Sequence, residues 1–286
     1  MTFSRKNTVI RLISTALTFM LLAGSSACAA DSTASSDSST DIKQATMQPG
    51  TLTIATGQPA YTPYVFDNKP ETGKGFESAV AYAVAKNMGF SKDEVHWVRT
   101  TFDAAIAPGS KDYDLNIQQF GITPERRKAV DFSPSYFKPT QAIVVRKDSK
   151  YAPASSISQL KDASIGAMVG TTSYDCAKRK ITKDIKTFND NVGLAQALDT
   201  DQIDAMVVDT PTSVNIIKTK QVHQGKVLGQ LPGSQDPEGM GIVLPKDSKL
   251  TKAVSKAVSD MTNDGSLKKL QDSWLKEYTS DIPTLQ

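Results

Sequence analysis

From Thr51 onward, strand-type and helix-type hydrophobic patterns alternate, and the alternation runs through the chain twice. Thr51-Leu52-Thr53-Ile54-Ala55 alternates residue by residue and runs into Gly57, as a strand ending in a loop does. Phe76, Val80, Ala83, Val84 and Met88 fall at helical spacing, and Gly89 stands where a C′ glycine would end the helix. Val95–Val98 reads as a strand, Phe102–Ile106 as a helix and Asp114–Ile117 as a third strand. In the second half Ser164–Val169 is a strand leading into Gly170-Thr171-Thr172, Asn191–Leu198 a helix, and Ile203–Val208 a strand ending at Asp209. This order predicts α/β architecture with parallel strands. An acidic residue precedes the apolar strand in both Lys111-Asp112-Tyr113-Asp114-Leu115 and Asp201-Gln202-Ile203-Asp204-Ala205, which points to two similar lobes. A chain of 286 residues has room for them.

The apolar runs Thr140–Val145 and Gly239–Leu244 lie where one lobe gives way to the other, and both read as crossing hinge segments. Leu250, Ala253, Val254, Ala257, Val258 and Met261 form one helical stripe, and Leu267, Leu270, Trp274 and Leu275 another, with Asn263-Asp264-Gly265 between them. Both stripes read as core packing.

The N-terminus has the layout of a secretory signal peptide: Arg5, Lys6 and Arg11, an apolar stretch from Leu12 to Gly24, then small residues. The apolar stretch is shorter than the roughly 20 residues a membrane span needs. Cys28 follows, and this resembles a bacterial lipobox, in which the thiol is lipidated. The other outcome is cleavage after Ala27-Cys28-Ala29 with loss of the cysteine. Asp31–Gln48 is rich in Ser, Thr and Asp and reads as a flexible tether. The expected organisation is a signal peptide over 1–27 and a tether over 28–49. Lobe 1 follows over 50–138, lobe 2 over 139–235, and a return to lobe 1 with C-terminal helices over 236–286.

Arg5, Lys6 and Arg11 carry the whole formal charge of +3, so the chain beyond the signal is neutral and has no electrostatic footprint for nucleic acid. The remaining cysteine is Cys176, and His96 and His223 stand far apart, so no Cys/His cluster has metal-ligand spacing. No metal or cofactor is expected.

The most informative stretch is Gly121-Ile122-Thr123-Pro124-Glu125-Arg126-Arg127-Lys128-Ala129-Val130-Asp131-Phe132-Ser133-Pro134. It resembles the Thr-Pro-Glu-Arg…Val-Asp-Phe-Ser signature of amino-acid-binding proteins of bacterial ABC importers (solute-binding protein family 3). Tyr61-Thr62-Pro63-Tyr64, Gly75-Phe76-Glu77, Gly170-Thr171-Thr172, Asp209, Gly239-Met240-Gly241-Ile242 and Asp264-Gly265 to Trp274 match the same family in order, over about residues 51–278. The resemblance implies two α/β lobes joined by two crossing hinge segments, the type II periplasmic-binding-protein fold. It implies a monomer, lipid-anchored on the outer face of the cytoplasmic membrane or otherwise periplasmic or secreted, that delivers an amino acid to an ABC transporter permease.

A free amino acid is a zwitterion, and its site must satisfy a carboxylate and an ammonium away from bulk water. Arginine suits the carboxylate because its planar fork donates two parallel bonds. The resemblance assigns that role to Arg126. Gly170-Thr171-Thr172 offers N–H groups at a helix start and a hydroxyl, a carboxylate cradle or a plain N-capped turn. Asp209 suits the ammonium, or caps the helix that Pro211 opens, or does both. The family often carries Ser, Thr or Asp where this chain has Gly121. A backbone carbonyl must then serve, or Gln118 or Gln119 must reach in. Gln58 replaces an Asp found in some binders of basic amino acids, which shifts the expectation to an uncharged or acidic side chain. Tyr61 and Tyr64 are candidate walls or core residues, and Phe120 is open in the same way.

Arg126 from one lobe and Thr172 and Asp209 from the other would let the ligand favour the closed form. Two other readings stand beside transport. One is an enzyme on the same fold, such as a cyclohexadienyl dehydratase, though no poised acid or base beyond Asp209 is evident. The other is a ligand sensor acting in trans.

Overall fold

Two sheets of the same topology form the body, and each takes one strand that arrives from the other lobe. The computed structural model describes residues 34–286, so the signal peptide expected over 1–27 and Cys28 lie outside the described residues. In chain order the elements open with α1 (Ala34–Gln44), β1 (Leu52–Gly57), α2 (Phe76–Asn87), β2 (Val95–Thr100), α3 (Phe102–Ile106) and β3 (Leu115–Asn116). Next come β4 (Val130–Phe137), β5 (Gln141–Arg146), β6 (Ile165–Met168), α4 (Thr172–Lys180), β7 (Ile185–Phe188) and α5 (Asn191–Asp199). The chain closes with β8 (Ala205–Asp209), α6 (Thr210–Lys218), β9 (Gly225–Gln230), β10 (Met240–Pro245), α7 (Thr251–Asn263), α8 (Ser266–Trp274) and α9 (Lys276–Thr279).

The lobe 1 sheet runs β2-β1-β3-β10-β4 and the lobe 2 sheet β7-β6-β8-β5-β9. In the first, β1 lies parallel to β2 and β3, and β10 runs antiparallel to β3 and β4. The second repeats this, with β6 parallel to β7 and β8, and β5 antiparallel to β8 and β9. β1 is buried along its whole length, its threonines included, and the Thr56 hydroxyl donates to Ile117 C=O at 3.0 Å. The helical stripes bury as expected: Val80, Val84, Val254, Val258 and Met261 all enter the lobe 1 core. Each such side chain contributes about 1.5–3 kcal/mol of transfer free energy.

Two expectations for the crossings are corrected. The runs around Thr140–Val145 and Gly239–Leu244 are not hinges but β5 and β10, wedged between neighbouring strands with every residue but the last buried. The crossings are the polar, proline-containing stretches just before them, residues 138–140 and 231–239. They pair with each other: Asp236 N–H donates to Pro139 C=O at 3.3 Å, and Lys138 Nζ donates to Pro237 C=O at 2.9 Å. The C-terminus also departs from the expected return to lobe 1. Gln230 N–H donates to Pro283 C=O at 2.7 Å, and Leu285 is buried in the lobe 2 core. The tail thus covers the open edge of β9, which a free sheet edge favours.

The tether over 28–49 is corrected in part. Residues 34–44 are helical, and Ile42 and Ala45 pack against the lobe 1 core. Lys43 pairs with Glu94 at 2.6 Å, and Asp114 accepts from Met47 N–H at 2.7 Å. A composition averaged over the stretch hides these few anchoring residues.

Candidate ligand-binding cleft

Lobe 2 reaches the cleft through the N-termini of two helices. β8 ends at Asp209, which caps α6: Oδ1 accepts from Thr212 N–H at 3.0 Å and Oδ2 from the Thr212 hydroxyl at 2.7 Å. The capping expectation therefore holds, and Pro211 stands in the first turn as expected. Burial raises the Asp209 pKa, and the bonds from Thr212 and Tyr64 oppose the rise. β6 leads through Gly170, at φ 71°, into α4. Thr171 caps this helix, its hydroxyl donating to Met168 C=O at 2.7 Å and accepting from Tyr174 N–H at 3.1 Å. Thr172 donates to Asp236 at 3.0 Å. Thr172 and Ser173, the first residues of α4, line the cleft, and the first N–H groups of a helix have no partner within it.

Lobe 1 reaches the same cleft through loops. Arg126 is 9% exposed, with Nη1 donating to Gly121 C=O at 2.6 Å and Nη2 to Gly170 C=O at 2.7 Å. The second bond crosses between lobes. The guanidinium lies 5.2 Å from the Phe102 ring centroid, and Phe102 packs on Phe120 at 4.7 Å. Burial pushes the Arg126 pKa down, while Asp236, Asp175 and Asp103 oppose it. Tyr64 Oη donates to Asp209 Oδ1 at 2.7 Å, a second interlobe bond. At Gly121 a Cβ would lie 2.6 Å from Thr172 Cγ2, so the lobes meet closely only because that residue lacks a side chain.

The structure brings Arg126, Thr172, Asp209, Thr171, Gly121, Tyr61 and Gln119 together around one cleft. The cleft lies between the lobes, lined from both of them. Three expected residues are not in the lining. Gln58 is exposed outside it, because the backbone turns that side chain to solvent and leaves Pro59 on the wall. Phe120 is fully buried behind Phe102, and Tyr64 is fully buried behind Asp209, which it orients. Sequence reasoning missed Phe102, Gln141, Ser173, Asn191 and Met168, which also line the cleft. Ser173 donates to Gln141 at 2.6 Å across 32 residues of chain, a pairing with no local signal. Cys176 is a small residue in the lobe 2 core, as expected. Among the described residues no cluster of His, Cys, Asp or Glu could hold a metal, and no helix is long and apolar enough to cross a membrane.

This arrangement can be set against known proteins. The family model for bacterial extracellular solute-binding proteins, family 3, matches residues 52–277. The arginine-binding extracellular protein ArtP of Bacillus subtilis (strain 168) is 31% identical over 208 residues, covering 70% of this chain and 77% of that protein. The L-cystine-binding protein TcyJ of Escherichia coli (strain K12) is 30% identical over 229 residues, covering 79% and 82%. The solved structure of an ancestral arginine-binding protein bound to arginine superposes with a TM-score of 0.64 at 31% identity, covering 79% of this chain and 98% of that one. A match over both lobes, joined to a cleft that opposes an arginine and an aspartate, places the chain in the bacterial extracellular solute-binding proteins of family 3.

Proposed function

We propose that the cleft captures a free polar amino acid with an uncharged side chain and presents it to an ABC transporter permease. The observation that carries this reading is the charge inventory of the lining: Arg126 and Asp209 are its charged side chains among the described residues, one from each lobe. One cation and one anion match a zwitterion and leave no partner for a third charge. Burying an unpaired charge costs several kcal/mol. Arginine, the ligand for which one relative is named, would require a further acid that this lining lacks. Cystine, for which another is named, brings a second ammonium and a second carboxylate, and this lining has no partner for either.

Arg126 and the start of α4 at Thr172 receive the α-carboxylate. Asp209 receives the ammonium. Charged hydrogen bonds each contribute about 1.5–3 kcal/mol, and a few of them, less the ordering costs, give roughly micromolar binding. A ligand that bridges the lobes stabilises their closed arrangement, the form that docks on the permease.

Thermal shift of the folded body against the twenty common L-amino acids and L-cystine, followed by calorimetry, tests the reading. Amino acids with an uncharged polar side chain, such as glutamine, should raise the melting temperature, and arginine, lysine and cystine should not. A strongest response to a basic amino acid, or no response at all, would overturn it. Lipidation of Cys28, holding the exported protein at the outer face of the membrane, belongs to the same proposal. Mass spectrometry of the protein from the cell envelope should find a diacylated cysteine at its N-terminus; an unmodified N-terminus beyond Cys28 would remove the anchor.

A further inference from the structure

Asp209 cannot satisfy an ammonium alone. A carboxylate offers about four acceptor sites, and an ammonium brings three donors. Tyr64 Oη and Thr212 N–H occupy Oδ1 at 2.7 and 3.0 Å, and the Thr212 hydroxyl occupies Oδ2 at 2.7 Å. About one site is left. Gly121 offers only its carbonyl, one of whose two lone pairs is already engaged by Arg126 at 2.6 Å. With three ammonium donors to satisfy, a second side-chain acceptor must come from elsewhere in the lining.

We propose that Glu77 is a positioning residue that holds the Gln119 carboxamide with its oxygen turned to the cleft, as the second acceptor for the ligand's ammonium beside Asp209. This rests on the reading that the cleft takes a free amino acid. Gln119 lines the cleft and sits at φ 54°, a left-handed conformation that a residue with a side chain adopts only at a cost of about 1–2 kcal/mol. What holds it there is Glu77, fully buried in the first turn of α2. Glu77 Oε1 accepts from Gln119 N–H at 2.7 Å, and Oε2 accepts from the Gln119 side-chain nitrogen. The Tyr136 hydroxyl also donates to Oε1. All three partners are donors, so the carboxylate acts as acceptor toward each. With the Gln119 nitrogen bound to Glu77, the planar carboxamide turns its oxygen away from that acid. Asp209 lies within electrostatic reach of both Glu77 and Tyr136, so the clamp adjoins the anionic end of the cleft.

The clamp makes a polarity prediction. In Glu77→Gln the new side chain presents an NH2 group toward Gln119. The Gln119 carboxamide then reverses to accept it and shows its own NH2 to the cleft, a donor facing a donor. Gln119→Met removes the acceptor while keeping the length of the side chain. The probes are the twenty common L-amino acids and L-cystine, and, for each that binds, the analogue carrying a hydroxyl in place of the ammonium. Calorimetry of the intact protein should show the amino-acid affinity falling about tenfold or more in both variants, as the loss of one charged hydrogen bond requires. The ratio of amino-acid to hydroxy-acid affinity should fall with it. A merely structural role for Glu77 would weaken both ligands alike and leave that ratio unchanged, which would overturn the proposal. An unchanged amino-acid affinity in Gln119→Met would also overturn it while leaving the amino-acid reading intact. Failure of wild-type protein to bind any probe would instead remove the reading on which it rests.

Discussion

Lobe 2 carries its ligand groups on helix N-termini, whereas lobe 1 carries them on loops fixed by buried side chains. The two sheets have the same strand order, so the difference lies in the segments that leave the strand ends. In lobe 2 the capping bonds of Thr171 and Asp209 span three residues and form within a single turn. In lobe 1 the comparable bonds join Gln119 to Glu77 across 42 residues and Tyr136 to Glu77 across 59. A helix start supplies oriented donors from local structure alone, while a loop needs a buried network to hold an acceptor still. If Arg126 and Asp209 receive the two ends of a zwitterion as proposed, the lobes divide it by the kind of support each can give.

Arg126→Ala is the severest test of the division, because Arg126 both lines the cleft from lobe 1 and bonds to lobe 2. It should lose about 3–5 kcal/mol of ligand affinity, the cost of truncating a buried, hydrogen-bonded charge. Calorimetry on the strongest ligand reads this directly. Unchanged binding would remove Arg126 from the site and leave carboxylate recognition to lobe 2 alone.

The buried acid of lobe 1 predicts a pH dependence that the caps of lobe 2 do not share. Burial pushes Glu77 up from 4.5 to about 7, against the lowering effect of bonds from Tyr136 and Gln119, while the facing charge of Asp209 adds to the rise. Between these two values the folded state binds more protons than the unfolded one. Stability from this group is therefore fully present below about 4.5 and is lost as pH rises through about 7. The loss amounts to roughly 3–4 kcal/mol across that window. Ligand affinity should run the other way, rising with pH as Glu77 ionises and becomes an acceptor toward Gln119. Chemical denaturation and calorimetry of wild type and Glu77→Gln over the same range check both signs. Identical pH profiles for the two proteins would show that Glu77 does not titrate in the fold.

The same contrast explains what the sequence could tell. Asp209 ends an apolar strand just before Thr210-Pro211, and Gly170-Thr171-Thr172 comes after another, so both lobe 2 sites carry local signatures of a helix start. Arg126 was legible through the motif around it. The Glu77 clamp was not, because nothing near Glu77 says that a loop 42 residues on will donate two bonds to it. Phe102 and the Ser173–Gln141 pair escaped for the same reason, since their place in the cleft is set by packing across elements. The apolar runs of β5 and β10, which read as hinges, show a different limit. A buried strand and a crossing segment look alike until a sheet supplies the neighbours. The tail beyond α9 gave no hint of lobe 2 because a sheet edge in need of cover lies more than 50 residues upstream.

Thr171→Ala should have the smallest effect, and it tests whether capping and ligand binding can be separated within lobe 2. The Thr171 hydroxyl is committed to Met168 C=O and Tyr174 N–H, which leaves it little capacity for a ligand. Its loss should lower stability by about 1 kcal/mol, the usual cost of an N-cap, and change affinity by less than that. Denaturant melts and calorimetry on the same variant measure the two effects. A larger loss of affinity than of stability would mean that the Thr171 hydroxyl turns to the ligand on binding. Local capping and ligand recognition would then share one group in lobe 2, as Asp209 shares cap and cleft, and the two lobes would differ less than their bonding patterns suggest.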